Sequence, residues 1–300
     1  MRCKFSKAFT LLEMIFVVVI SGVLAIGSFK AMQSLYIRSA KAKAVTDMSL
    51  RSQIVLDQIG VMLYNRIPNS IIGSNPDCQP ISDITSEQHV LEWLGTMEDD
   101  LIERKYDGFV DIEKSDKDSK TLVTPDIKSI MEDKDLDDNI NLVFSGAFDG
   151  GTESIKACSG AFGYHGAADD LSFDVIIEDN KIKIDGDQPK YIYEKYYLTD
   201  TAYAITRGEH IADITNCSTV DSENDFKDFN NTLFLFYNYQ PYNGETYCGD
   251  GGAGDVSILA ENVTGFEILY ENDSIRLQLD MTQEIRGSTA VHLSKQKVVF

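Results

Sequence analysis

Glu13 is the only ionisable side chain in the 21 residues from Phe9 to Phe29. A charge inside so long an apolar run costs roughly 2.5–3.5 kcal/mol even on lenient insertion scales, so it marks a partner or a pathway. Other reactive side chains are dispersed: His89, His165, His210 and His292 lie far apart, and a metal site or triad requires the fold to gather them. The patterns HExxH, GxSxG and GxxxxGK[ST] are absent, as is CxxC, which leaves zinc and thiol redox chemistry without a motif. "GDGGAG" at 249–254 satisfies GxGxxG by letter, but it follows Cys248 in a Tyr-, Asn- and Gly-rich loop outside any βαβ unit, so it reads as a turn. "DKDLDDN" at 133–139 lacks the Gly and terminal Glu of an EF-hand loop and reads as a solvated face. With 27 Lys and Arg against 48 Asp and Glu, net charge is −21, which opposes an extended phosphate-binding face and makes nucleic acid a poor partner.

The element that must position Glu13 is a helix. Twenty-one residues at about 1.5 Å each cross a hydrocarbon core of roughly 30 Å. Before them stands "MRCKFSKA", basic through Arg2, Lys4 and Lys7, and no small-residue cleavage site follows Ile20 as a secretory signal requires. Lys30, Arg38, Lys41 and Lys43 follow just as closely, so the Lys/Arg bias does not choose an orientation. Pro68 is the first proline, and Val45, Met48, Val55, Ile59 and Met62 recur at helical spacing. The spacing predicts one helix from about Phe9 to Asn65, roughly 85 Å long, half in lipid and half laid on a globular domain.

"KAFTLLEMIFVVVISGVLA" resembles the amino terminus of type IV prepilins and type II secretion pseudopilins. The resemblance implies a prepilin peptidase cut between Ala8 and Phe9, N-methylation of Phe9, and assembly roles for Thr10 and Glu13, the second and fifth mature residues. Ala8 departs from the Gly usual before the cut. Four residues from the helix end, about 6 Å, Glu13 can reach the interfacial layer while the subunit waits in the membrane. In a filament that outlet is closed, and the α-amine of a neighbour's Phe9 becomes the partner. Such a buried pair fixes register more than it adds stability.

The remainder divides by pattern. Thr85 and Gln88 stand at capping-box spacing before Val90, Leu94, Met97 and Leu101, which predicts a second helix; Thr124-Pro125 predicts a short third one in a charged stretch. From about 141, "LSFDVIIEDNKIKIDG", "KYIYEKYYLTDTAYAITRG", "NTLFLFYNYQ" and "VTGFEILYENDSIRLQLDM" show period-two alternation or β-branched and aromatic enrichment, and predict antiparallel hairpins. Their order resembles the larger minor pseudopilins of J type. Loss of the leader removes Cys3 and leaves Cys78, Cys158, Cys217 and Cys248, an even set with three pairings that fits an oxidising compartment. The preferred pairing is Cys217 with Cys248, stapling the loops around "NTLFLFYNY", and Cys78 with Cys158. Asp250 and Asp255 beside carbonyl-exposing glycines are candidates for Ca²⁺, which some pseudopilins hold; a solvated turn is the plainer reading, and no cofactor is expected.

The chain thus reads as an α+β, pilin-like protein whose long N-terminal transmembrane helix packs on an antiparallel β-sheet. Leader 1–8, span 9–29, periplasmic helix 30–67, a helical and acidic insertion at 68–140 and a β domain at 141–300 make up its length. The expected function is that of a minor, tip-type pseudopilin. Its partners would be other pseudopilins or pilins, the prepilin peptidase, an inner-membrane assembly platform and lipid. Two alternatives are a minor pilin of a type IV pilus or DNA-uptake machine, and a membrane-anchored periplasmic enzyme or ligand-binding protein.

Overall fold

The computed structural model describes residues 10–97, 107–124, 140–148, 157–178, 181–211, 214, 217, 226, 228–249, 252–272, 274–286 and 289–299. Helix α1 (Leu11–Tyr64) runs for 54 residues, about 80 Å at 1.5 Å per residue. It stops where Asn65 N–H turns to the Val61 and Met62 carbonyls and where Pro68 disfavours α geometry at Ile67. Its buried positions are Ala44, Met48, Ser52, Val55, Leu56, Ile59, Gly60 and Leu63. Val45, expected in the stripe, is 40% exposed. The buried face there runs through Ala44, Met48 and Ser52, one residue round the helix from Val45.

The chain forms two compact units, one of the residues up to Leu50 with Thr282–Leu293, the other of Arg51–Met281 with the residues from Ser294. Within the first, Thr282 Oγ1 and His292 Nδ1 are hydrogen-bonded at 2.8 Å. Within the second, the last turns of the helix hold the C-terminal strand. Lys297 Nζ bonds Asp57 Oδ1 at 2.7 Å, Lys295 Nζ bonds Gln53 Oε1 at 3.3 Å, and the Lys297 stem crosses Gly60 so closely that a Cβ there would stand 2.8 Å from Lys297 Cε.

The strands, in chain order, are β1 (Ile72–Ser74), β2 (Gln79–Pro80), β3 (Val90–Leu94), β4 (Asp107–Phe109), β5 (Thr121–Val123), β6 (Asn141–Phe144), β7 (Ser172–Glu178), β8 (Lys181–Ile184), β9 (Lys195–Thr199), β10 (Ala202–Arg207), β11 (Thr232–Tyr239), β12 (Asp255–Glu261), β13 (Val263–Glu271), β14 (Ser274–Gln283) and β15 (Val291–Val299). They make three sheets, ordered β12-β11-β10-β3-β1-β2, β4-β9-β6-β7-β8-β5 and β13-β14-β15. Neighbouring strands of the two six-stranded sheets, and β13 with β14, pair antiparallel. Period-two strands behave as their pattern requires: β14 buries Ile275, Leu277, Leu279 and Met281, and β8 buries Ile182 and Ile184 between exposed lysines. The fold is α+β, a long helix with antiparallel sheets.

Two expectations are corrected. Residues 90–94 are a strand and not a helix, and the described part of 68–140 supplies β1, β2 and β3 to the first sheet and β4 and β5 to the second. The capping-box pair does form, with Gln88 Oε1 accepting from Thr85 N at 2.8 Å and Thr85 Oγ1 at 3.0 Å, but it closes a turn that leads into β3. A strand buried on both faces has no alternation, and Val90 and Leu94 share a face at spacing four in a strand as in a helix. Residues 98–106, which complete the predicted second helix, and the stretch from Pro125 to Asn139 lie outside the described residues. The run containing β9 and β10 is also not a hairpin, since the Asp200-Thr201 link passes from the second sheet to the first.

Each large sheet carries a core. On the first, Val90, Leu94, Ala202, Ala204, Phe234 and Phe236 join Ile67 and Phe162; on the second, Leu142, Phe144, Ile182, Tyr196 and Leu198 cluster. Of the three pairings open to four cysteines, the structure holds Cys78–Cys158 and Cys217–Cys248, with Cα separations of 5.8 and 4.6 Å. Trp93 is fully buried and stacks on Tyr203 with centroids 5.5 Å apart. Trp93→Ala is therefore expected to cost about 3–5 kcal/mol, and Val45→Ala at most about 0.5 kcal/mol, in urea denaturation of the oxidised protein. Similar small effects for both would return 90–94 to a helix. Reduction should remove about 2–4 kcal/mol per disulfide, and thiol counting on the oxidised protein lacking residues 1–8 should find none free.

Candidate functional site

At the head of α1 the sequence T-L-L-E spells a capping box. Thr10 is the N-cap and Glu13 the third helical residue: Glu13 Oε2 accepts from Thr10 N and Thr10 Oγ1, each at 3.1 Å, and Glu13 N–H returns to Thr10 Oγ1 at 3.4 Å. The arrangement satisfies two donors that a helix start leaves orphaned and sets a carboxylate at the positive end of the dipole. Glu13 is therefore held by its own chain before any partner arrives. The [ST]-x-x-E spacing was visible in the sequence, where the apolar run drew attention to the charge and away from its cap. The side chains from Leu11 to Tyr36 are exposed, and the helix is long and apolar enough to cross a membrane by length and composition. Ala8 and Phe9 lie outside the described residues.

Of the calcium candidates, Asp255 accepts a hydrogen bond from Asn238 Nδ2 at 2.8 Å, and Asp250 lies outside the described residues. Among the described residues, no group of three or more His, Cys, Asp or Glu is arranged to hold a metal ion.

The fold does gather histidines. A cleft of about 530 Å³ in the second unit is lined by Ser74–Cys78, His165, His210, Ile211, Tyr247, Cys248 and Gly249, with one cysteine of each disulfide in its wall. Behind it lies Glu92, 1% exposed in the centre of β3. Glu92 Oε1 accepts from Ser74 Oγ at 2.5 Å and His165 Nε2 at 2.8 Å, and Oε2 accepts from the Tyr239 hydroxyl at 3.0 Å. His165 reaches it from a left-handed backbone (φ 53°) between Gly163 (φ 77°) and Gly166 (φ 78°). At Gly163 a Cβ would strike the Pro241 carbonyl, so only glycine lets this turn approach. The Glu92 hydrogen bond holds the His165 imidazole above its ordinary pKa against the opposing effect of burial; burial, with His89 next, pushes His210 below its own. Sequence reading missed this network. Its one signal was a lone charge inside the apolar run V-L-E-W-L.

Residues 3–29 match the family model described as the prokaryotic N-terminal methylation motif. No curated protein and no solved structure matches the chain. The motif covers Thr10, Glu13 and the exposed apolar start of α1, and it supports a protein of the type IV prepilin and pseudopilin kind. The motif is that of pilin- and pseudopilin-type subunits, and it implies processing by a prepilin peptidase and assembly with other pilins, in keeping with one helix long and apolar enough to span a membrane.

The two shifted imidazoles act in opposite senses. A base with a raised folded pKa contributes stability that is full below about 6.5, the unfolded value, and is lost as pH rises through the folded value. His165 therefore stabilises from the acid side, and the stability difference between the wild type and His165→Gln should shrink as pH rises above about 6.5. His210, with its pKa lowered, favours neutrality and withdraws stability as pH falls below about 6.5. Urea denaturation midpoints across this range check the signs; a difference that widens with rising pH contradicts the His165 assignment.

Proposed function

We propose that this protein is a minor, tip-type pseudopilin, a structural subunit held in the bacterial inner membrane by residues 9–29. Its following residues lie in the periplasm, and an inner-membrane platform draws it into a short pseudopilus of a type II-like secretion machine. The observation that carries this reading is the Thr10–Glu13 box at the head of a helix whose first half is apolar and exposed and whose last turns hold the C-terminal strand. In the waiting subunit the carboxylate is satisfied by Thr10. In the filament it exchanges that partner for the methylated amine of a neighbour's Phe9, which sets register. Two disulfides suit an oxidising periplasm, and a domain this large suits a tip position, where lateral packing constrains size least. A second reading, a membrane-anchored ligand-binding protein, is favoured by the cleft at His165.

Processing at Ala8–Phe9 leaves a chain of net charge −24, since the leader's Arg2, Lys4 and Lys7 take the positives from 27 to 24 against 48 negatives. Intact-mass measurement on membrane material should find Phe9 first and methylated; a chain beginning at Met1, or cut beyond the apolar run, defeats the proposal. Glu13→Val should insert and fold normally yet lose cross-linking to sibling pseudopilins, because the neighbour's amine is buried unpaired at about 3–5 kcal/mol. Glu13→Gln should fall between. Thr10→Val, which loses the cap hydroxyl at about 1 kcal/mol, should weaken assembly less than Glu13→Val. Normal assembly of Glu13→Val would mean that the carboxylate only reaches for the interface.

A further inference from the structure

His89 and His210 meet face to face, with ring centroids 4.0 Å apart and planes 8° from parallel. The backbone around each ring closes the same joint. His89, in the turn before β3, gives its N–H to the carbonyls of Ser74 at 3.1 Å and Asn75 at 3.0 Å. Asn75 Nδ2 donates to His210 O at 3.0 Å, and Thr206 Oγ1 donates to His89 O at 3.1 Å. The stack thus fastens the segment 74–89, which provides one wall of the cleft through Ser74–Cys78, to the end of β10, beyond which His210 and Ile211 provide another.

We propose that the His89–His210 stack is an acid-sensitive latch that holds residues 75–89 against the end of β10 while at most one ring is charged, and that releases them, opening the cleft, when both are protonated, with Ser74 staying on Glu92. Two imidazolium rings at stacking distance repel. The surrounding charges pull both ways, Glu209 favouring protonation of His210 more than Arg207 opposes it. Among the described residues, Glu209 Oε1 lies 3.1 Å from His210 Nε2, but the same oxygen accepts from Arg207 NH1 at 2.5 Å, and Arg207 opposes protonation of His210. Asp77, on the segment itself, shares the cleft with His210. Across the cleft, His165 is paired with Glu92 and held toward its charged form. Cys78–Cys158 anchors the released segment to residues 157–160, so the movement is a swing of a tethered strap.

The test is amide hydrogen exchange by mass spectrometry on the full chain in detergent, at about pH 7.5 and pH 5, corrected for intrinsic rates, with β11 as reference. The expected result is a loss of protection of about tenfold across residues 75–90 at the lower pH, with β11 unchanged. His89→Phe and His210→Phe keep a stacked ring that cannot charge, and each should abolish the loss; His165→Gln should retain it. Either Phe variant suffices if the other fails to fold. Equal protection of the wild-type segment at both pH values, loss in β11 to the same degree, or a wild-type response in a folded Phe variant would overturn the latch.

Discussion

A carboxylate at 1% exposure in a strand buried on both faces costs several kcal/mol unless its hydrogen-bonding capacity is filled. Glu92 meets that condition through three donors from three separate parts of the chain: Ser74 in β1, Tyr239 in β11 and His165 in the turn after Phe162. Each donor fixes its own surroundings. Ser74 holds β1 beside β3, Tyr239 ties β11 to a strand that it does not neighbour, and the reach of His165 requires the left-handed backbone between Gly163 and Gly166. The first sheet, its core and the cleft in front of it are organised around filling one polar site.

The same difficulty recurs at Glu13 and is met differently. Glu13 also sits among apolar side chains, but it stands within one turn of a helix start, where unpaired N–H groups and the dipole are already available. One threonine is enough there. Glu92 has no helix end to draw on and needs side chains remote in sequence. The contrast suits two different duties: a local cap can be exchanged for another partner at small cost, whereas a network spread over three segments is a fixed part of the domain.

This difference also explains what could be read in advance. The apolar run, the even set of cysteines after the leader, and alternating strands such as β8 and β14 follow from local pattern, and they were legible. β3 was not, because five consecutive buried residues erase the alternation that marks a strand, and Val90 and Leu94 fit either period. A capping box that closes as a bare turn completed the mistake. The helical stripe is offset from Val45 because its buried positions there are the small Ala44 and the polar Ser52, which hydrophobicity does not single out. Meeting points such as His89 with His210 are set by sheet register, through the pairing of Val90 with Thr206, and no spacing along the chain encodes them.

The way α1 joins the first sheet has a mechanical side. The helix ends at Tyr64, and the next residues lie at once along the C-terminal end of β3: Thr96 N and Oγ1 bond Asn65 O at 3.0 and 2.7 Å, Arg66 bridges Gly95, and Ile67 N bonds Leu94 O at 2.9 Å. β3 is itself registered on both edges, residue against residue, with β1 and β10. Tension applied along the helix therefore reaches the domain through this set of hydrogen bonds and through the helix's own buried turns, and separation has to break both. Resistance of that kind is a rate, set by the barrier to forced separation. A subunit hauled out of a bilayer by its helix would carry its load at the joint best placed to bear it.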